Sequence, residues 1–189
     1  MPTEKITEKF PRHFLKLFKE LNATNDILTF MIRGHLHCES VLTELIYTAV
    51  LRPNALEQCH LNFSTKLNLC NALGLIPESL VPGLAGLGKL RNRLAHRLEY
   101  SISEQDQADL INTIRSTGEP YAAEYLSKGT EFPKGLRLCI IGLFMDLYFN
   151  LADTNEEEHD MAVNLAVLSI KEYGFDSDEF IDELKKKVQ

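Results

Sequence analysis

The sequence holds little that would build a strand, a membrane span or a metal site. No run alternates apolar and polar residues in the two-residue rhythm of a half-buried strand, and no internal repeat or low-complexity tract is present. Cysteine is scarce. Cys38, Cys59, Cys70 and Cys139 are widely spaced, and none belongs to a C-x-x-C pair, which leaves a zinc site without its usual spacing. Three of the four fall in helical apolar patterns, where a free thiol packs as a small hydrophobe. That usage fits a reducing, cytoplasmic compartment. The opening MPTEKITEKF lacks the apolar core of a signal peptide. The most apolar segment, LRLCIIGLFMDLYFNLA at 136–152, is short for a bilayer and carries Asp146. It reads as a buried or interfacial helix, and no membrane is expected as a partner. An excess of positive charge is also missing. The net charge of −7 excludes a broad non-specific nucleic-acid surface while leaving room for a local basic patch.

What the sequence does have is helical periodicity almost throughout, in 189 residues that are 44% apolar and 25% charged. That is enough for one sizeable core. An amphipathic helix is predicted over 3–22, with Phe10, Phe14, Leu17, Phe18 and Leu21 as its stripe and Pro11 as a break or kink. A long helix follows at 25–51 and stops before Arg52-Pro53. Residues 52–62 form a loop with room for one turn. A shorter helix runs 63–74, with Gly74 as its stop and Pro77 beyond. Ser79 is placed to cap a helix at 80–99 with Pro82 in its first turn, and Ser103 to cap one at 104–116. STGEP at 116–120 punctuates the chain. Further helices are predicted at 120–127, 134–152, 157–173 and 177–188, the last with Asp176 and Glu179 as a capping-box pair. The expected fold class is therefore all-α. Residues 1–116 make a helical bundle with an N-terminal helix, and residues 117–189 a C-terminal helical extension packed on the same core.

Two apolar stripes carry polar interruptions. At about 100° per residue, Leu84, Leu87, Leu94, Ala95 and Leu98 share one side of their helix, with Arg91 at its centre. Lys89, Arg93 and Arg97 fall on the opposite, solvated side, and Asn92 and His96 stack four residues apart on one flank. In the long helix, Leu28, Ile32, Leu42, Ile46 and Ala49 define a stripe that also contains His35 and Glu39. A buried guanidinium needs a partner, because stripping one partner from a buried pair costs about 3–5 kcal/mol. Glu39 is the most economical candidate for Arg91, with Glu44 less well placed. The plain reading of this pattern is a structural ion pair, with His96 an ordinary residue at a helix edge. His35 and His37 lie two apart and point to different sides, so they make no metal pair. No metal and no cofactor are expected.

Residues 91–96, RNRLAH, resemble the R-x4-6-H motif of the HEPN superfamily, in the form with a polar residue directly after the arginine. The stretch FSTKLNLCNALGLIPESL at 63–80, followed by LGKLRNRLAH, also resembles the mannitol operon repressor family, which looks related to the same superfamily. The resemblance covers residues 24–110. It implies an HEPN-like antiparallel helical bundle and a homodimer whose motif helices face each other across a cleft. It further implies a metal-independent endoribonuclease of toxin or defence type. In that reading Arg91 and His96 are the catalytic pair, Asn92 takes the polar position, and Glu39 and His35 support them. The chemistry is consistent with the residue types. Metal-free RNA cleavage needs a group to take the 2′-hydroxyl proton and one to protonate the leaving 5′-oxygen. Imidazole does either, since its ordinary pKa is about 6.5. Arginine presents paired donors to the negative charge of the transition state. The expected products are a 2′,3′-cyclic phosphate and a 5′-hydroxyl, with Lys89, Arg93 and Arg97 as candidate guides for RNA. The alternative is a non-enzymatic transcriptional regulator resembling the mannitol operon repressor and acting through protein partners. No basic helix-turn-helix recognition helix is evident for direct DNA reading. A third option is an antitoxin-like or scaffold bundle that only dimerises.

Overall fold

A computed structural model describes residues 26–56, 58–96, 99–117 and 131–152. The helices expected at 3–22, 120–127, 157–173 and 177–188 lie outside them. Residues 24–151 group as one compact unit. Every regular element among the described residues is helical, so the chain is an all-α bundle. In chain order these are α1 (Ile27–Ala49), a single 3-10 turn (Pro53–Leu56), α2 (Phe63–Ala72), α3 (Leu80–His96), α4 (Glu104–Thr117) and α5 (Lys134–Ala152). Helices α1, α2 and α3 pack on one another, and α4 packs along α3. No helix of the described residues is long and apolar enough to cross a membrane.

Local chemistry fixes the ends. Asp26 caps α1, its carboxylate accepting from the Thr29 amide at 2.8 Å, and Asn62 caps α2 through the Thr65 amide at 2.9 Å. Helix α2 closes in a Schellman motif. Gly74, at φ 66°, donates to the Asn71 carbonyl, and Leu75 donates to the Cys70 carbonyl. The stop expected at Gly74 is therefore the left-handed position itself, where a Cβ costs roughly 1–2 kcal/mol. Ser103 caps α4 as expected. Its hydroxyl accepts from the Asp106 amide at 3.2 Å, while the Asp106 carboxylate accepts from the Ser103 amide at 2.8 Å. This is a capping box with aspartate in the reciprocal position.

The expected stripe of α1 is rotated in the structure. Leu28 and Ile32 are 41% and 39% exposed, and Ala49 is exposed too. The buried arc is Phe30, Met31, Gly34, His35, Cys38, Val41, Leu42, Leu45 and Ile46. The reason is α5, which reaches α1 from a second side. Arg137 lies over the Phe30 ring at 4.7 Å, and Phe144 meets the edge of His37 at 6.3 Å. Helix α5 is buried from Leu136 to Tyr148 with few breaks, Asp146 included at 2% exposure, as the reading of 136–152 as a buried helix requires. Its amide at Leu136 donates to the side-chain oxygen of Gln107 on α4 at 2.9 Å.

The α1–α5 contact depends on Gly34. A Cβ there would overlap the Cγ2 methyl of Ile140. Gly34→Val is expected to lower stability by about 2 kcal/mol through overpacking. Adding Ile140→Ala is expected to shrink the effect of the Val side chain relative to its effect beside Ile140. Urea unfolding of the two single variants and the double variant measures this, and additive losses would remove the contact from the account.

Candidate functional site

Helix α3 carries the resemblance motif, and the packing around it divides the helix in two. From Leu80 to Leu90 it is core: Leu80, Leu84, Leu87 and Leu90 are at most 2% exposed. Beyond Leu90 it emerges. Arg91 and Leu94 are half-buried, and Asn92, Ala95 and His96 are exposed. The leucine stripe thus ends where the motif begins, and Arg91 stands at the edge of the bundle, where a long side chain can keep its charge near water.

Arg91 does not pair with Glu39 as expected. Glu39 instead holds Lys66 of α2 at 2.8 Å. The ammonium takes the carboxylate because Lys66, one turn into α2, lies beside the middle of α1. Arg91 Nη1 donates to Asn92 Oδ1 at 3.3 Å. Arg91 also acts on His35. That imidazole is 3% exposed, tilted against the Phe63 ring at 4.2 Å, and its Nδ1 has no hydrogen-bond partner. Burial pushes the His35 pKa down to about 4; the Glu39 charge opposes the shift, and Arg91 and Lys66 reinforce it. His35, Glu39, Lys66 and Arg91 therefore form one electrostatic neighbourhood where α1, α2 and α3 meet, with a neutral imidazole at neutral pH.

His96 lies on another side of α3. Five residues separate it from Arg91, or about 140° around the helix. It lines an open groove of about 780 Å³ between α3 and α4, together with Lys89, Asn92 and Arg93 from its own helix and Asp106, Asp109 and Thr113 from α4. The groove floor is Ala85, Gly86, Leu90 and Leu110, and Arg91 is not among its lining residues. Within one chain, then, Asn92 and His96 share a site, whereas Arg91 faces the His35 neighbourhood.

Arg93 was expected on a solvated face; its side chain is 41% exposed there and also makes an ion pair. Its Nη2 pairs with Asp106 Oδ1 at 2.9 Å, and its guanidinium lies 5.5 Å from the Tyr100 ring centre. The Asp106 carboxyl is buried, which raises its pKa, but hydrogen bonds from Tyr100 and Ser103 and the Arg93 charge bring it below the ordinary value. The signal was in the sequence. Asp106 occupies the third helical position after a Ser cap, and a box of this kind fixes a carboxylate at the helix start, within reach of a neighbouring helix. Asp106→Ala is expected to cost about 1–2 kcal/mol through loss of the box and the ion pair. Because the folded pKa is lowered, this contribution is complete above the unfolded aspartate pKa and fades as pH falls through the folded one. Urea denaturation at pH 7 measures the loss, and a variant as stable as the wild type would contradict it.

The other reactive groups are quiet. Burial raises the thiol pKa of Cys38, Cys70 and Cys139 to about 12, and Cys70 donates to the Leu42 carbonyl at 3.5 Å. Among the described residues, no group of three or more His, Cys, Asp or Glu side chains is placed to hold a metal ion. Arg97, the third cation expected near the motif, lies outside the described residues. No family model matches the chain, and no curated protein or solved structure matches it.

Proposed function

We propose that the protein is an HEPN-like, metal-independent endoribonuclease that works as a homodimer, with Arg91 and His96 as the reacting pair and Asn92 beside them. The observation that supports the reading is the position of His96. The imidazole is exposed on an open groove that also carries Lys89 and Asn92. An imidazole there is free to exchange protons with a bound ribose and phosphate. A cation and an amide on the same wall offer donors to the phosphate oxygens.

The angular separation of Arg91 from His96 bears on the assembly. If both act on one phosphate, the guanidinium that meets a given imidazole comes from the facing motif helix of a second copy. The sequence of events is then simple. His96 takes the 2′-hydroxyl proton, the 2′-oxygen attacks phosphorus, and Arg91 stabilises the added negative charge. The P–O5′ bond breaks and the 5′-oxygen takes up the proton held by His96, giving a 2′,3′-cyclic phosphate and a 5′-hydroxyl.

The test is direct. Purified full-length protein, incubated with single-stranded RNA and excess chelator, is expected to release fragments with those two ends. RNA left intact at high protein concentration rules the reading out. The regulator resembling the mannitol operon repressor, with protein partners such as an antitoxin, then takes its place.

A further inference from the structure

The groove between α3 and α4 has two unlike walls. On α3, Lys89, Asn92, Arg93 and His96 fall within one face at spacings of three, four and seven. Lys89 is exposed, and the Asn92 carbonyl oxygen is already taken by Arg91, which leaves its amide to donate. This wall offers donors and positive charge. On α4 the opposite holds. The Asp106 carboxylate is occupied by Ser103 and Arg93. Asp109, which lines the groove, accepts from the Gln105 amide through Oδ1 at 2.7 Å, and its second carboxylate oxygen remains an acceptor. The Thr113 hydroxyl donates to the Asp109 carbonyl at 2.8 Å, so its lone pairs are also left as acceptors.

Between the walls the floor is apolar, and α4 comes close to α3 at one point. Gly86 has no side chain, and a Cβ there would lie 3.0 Å from Leu110 Cδ1. Ala85, Leu90 and Leu110 complete the surface. At about 780 Å³ the space falls within the range of small-molecule sites, roughly 300–1,000 Å³. A fitting ligand carries an anion at one edge, N–H donors at the other and a flat apolar body between them.

We propose that this groove binds a nucleotide of cytosine or adenine, with its phosphate toward Lys89 and His96 and the exocyclic amino group of its base toward Asp109. This deepens the ribonuclease reading and rests on it for the identity of the polymer. The base lies over Gly86 and Leu110, and cytosine or adenine donates its amino hydrogens to Asp109 and Thr113. Uracil presents a carbonyl oxygen where cytosine presents its amino group, so lone pairs meet the carboxylate at that position and only its N3–H is left to donate. A site built to accept a hydrogen bond rejects the analogue that cannot make it. Asp109 is exposed, so water softens the rejection and the preference is modest.

Calorimetric titration of the full-length protein with cytidine, adenosine and uridine 3′-monophosphate, and with inorganic phosphate, tests this. Cytidine and adenosine monophosphate are expected to bind about tenfold more tightly than uridine monophosphate, and all three more tightly than phosphate. Asp109→Ala is expected to bring the three nucleotides to similar affinity, and Lys89→Ala to weaken all three alike. Both side chains are exposed, so neither change threatens the fold. Equal binding of the three nucleotides by the wild type, phosphate binding as tightly as they do, or a preference unchanged by Asp109→Ala overturns the proposal. RNA that is cut without regard to base, with no nucleotide preference, overturns this proposal and leaves the nuclease reading standing. Nucleotide preference with uncut RNA supports this proposal and overturns the nuclease reading.

Discussion

His96→Ala is expected to lower RNA cleavage by a factor of roughly 10²–10⁴, the range supplied by a positioned acid or base. The fold is expected to survive the change. His96 is exposed, so its removal leaves no buried cavity. Arg91→Ala is expected to be nearly as damaging, through the lost charge on the transition state. Mixing the two inactive proteins gives a sharper result. Arg91 and His96 are about 140° apart on one helix. In a twofold dimer each complete pair then draws on both chains, and mixed dimers retain one good pair. Refolding the two variants together is expected to restore about a quarter of wild-type activity, from statistical mixing in a symmetric dimer. Undiminished cleavage by His96→Ala would end the catalytic assignment. Inactive mixtures would end the shared-site geometry while leaving each residue's own effect in place.

The second large effect is on stability and concerns His35. Its imidazole is 3% exposed, with Nδ1 lacking a hydrogen-bond partner, and burial holds its pKa down to about 4 against an ordinary 6.5. The unfolded chain therefore binds a proton near pH 6.5, whereas the folded chain resists it until about pH 4. Above pH 6.5 both states are neutral at this residue and stability is full. Between 6.5 and 4 the unfolded state gains protons and stability is lost, by about 3 kcal/mol in all. Below pH 4 the loss is complete. The charged groups around the ring set the window: Glu39 of α1 raises the pKa, and Arg91 of α3 and Lys66 of α2 lower it. His35→Leu removes both the titration and the unpaired nitrogen. Urea midpoints at pH 7.0, 5.5 and 4.0 are expected to fall more steeply for the wild type than for His35→Leu. Parallel curves would show that the imidazole is charged, or solvated, in the folded protein.

The two experiments bear on one question: what the α3 motif contributes. Arg91 reaches toward the His35 neighbourhood, and His96 reaches toward the α3–α4 groove. The pH series concerns the first side, where a purely structural motif would show its effect. The cleavage series concerns the second, where catalysis would show.

Much of the helix framework was legible in the residues themselves. Gly74 is the left-handed stop of α2, Ser103 caps α4, and residues 134–152 form a helix that is buried over Leu136–Tyr148 with few breaks. These features are local. A cap needs a side chain within three residues of the amide it satisfies, and a Schellman motif needs a glycine at one place, so neighbouring sequence determines them. The site was legible only in part. The flank shared by Asn92 and His96 follows from a spacing of four, and both do line one groove.

Only the tertiary structure decided which helix supplies each partner. Glu39 pairs with Lys66 rather than Arg91, and the partly exposed Arg93 also pairs with Asp106. Both outcomes depend on how far one helix slides and turns against another, which no single stripe encodes. The buried arc of α1 shifted for the same reason. Periodicity locates an inward face when one neighbour covers the helix, but α5 covers α1 from a second side and the buried arc extends to Phe30, Gly34 and Val41; Leu28, on the same face as buried Ile46, is exposed at the start of the helix. Among the described residues, the sequence by itself determined closely where the helices begin and end and which residues travel together on each. The packing of those helices determined which charges are neutralised, which imidazole is sealed in and which is left open to solvent, because burial and pairing are properties of neighbours brought together from distant parts of the chain.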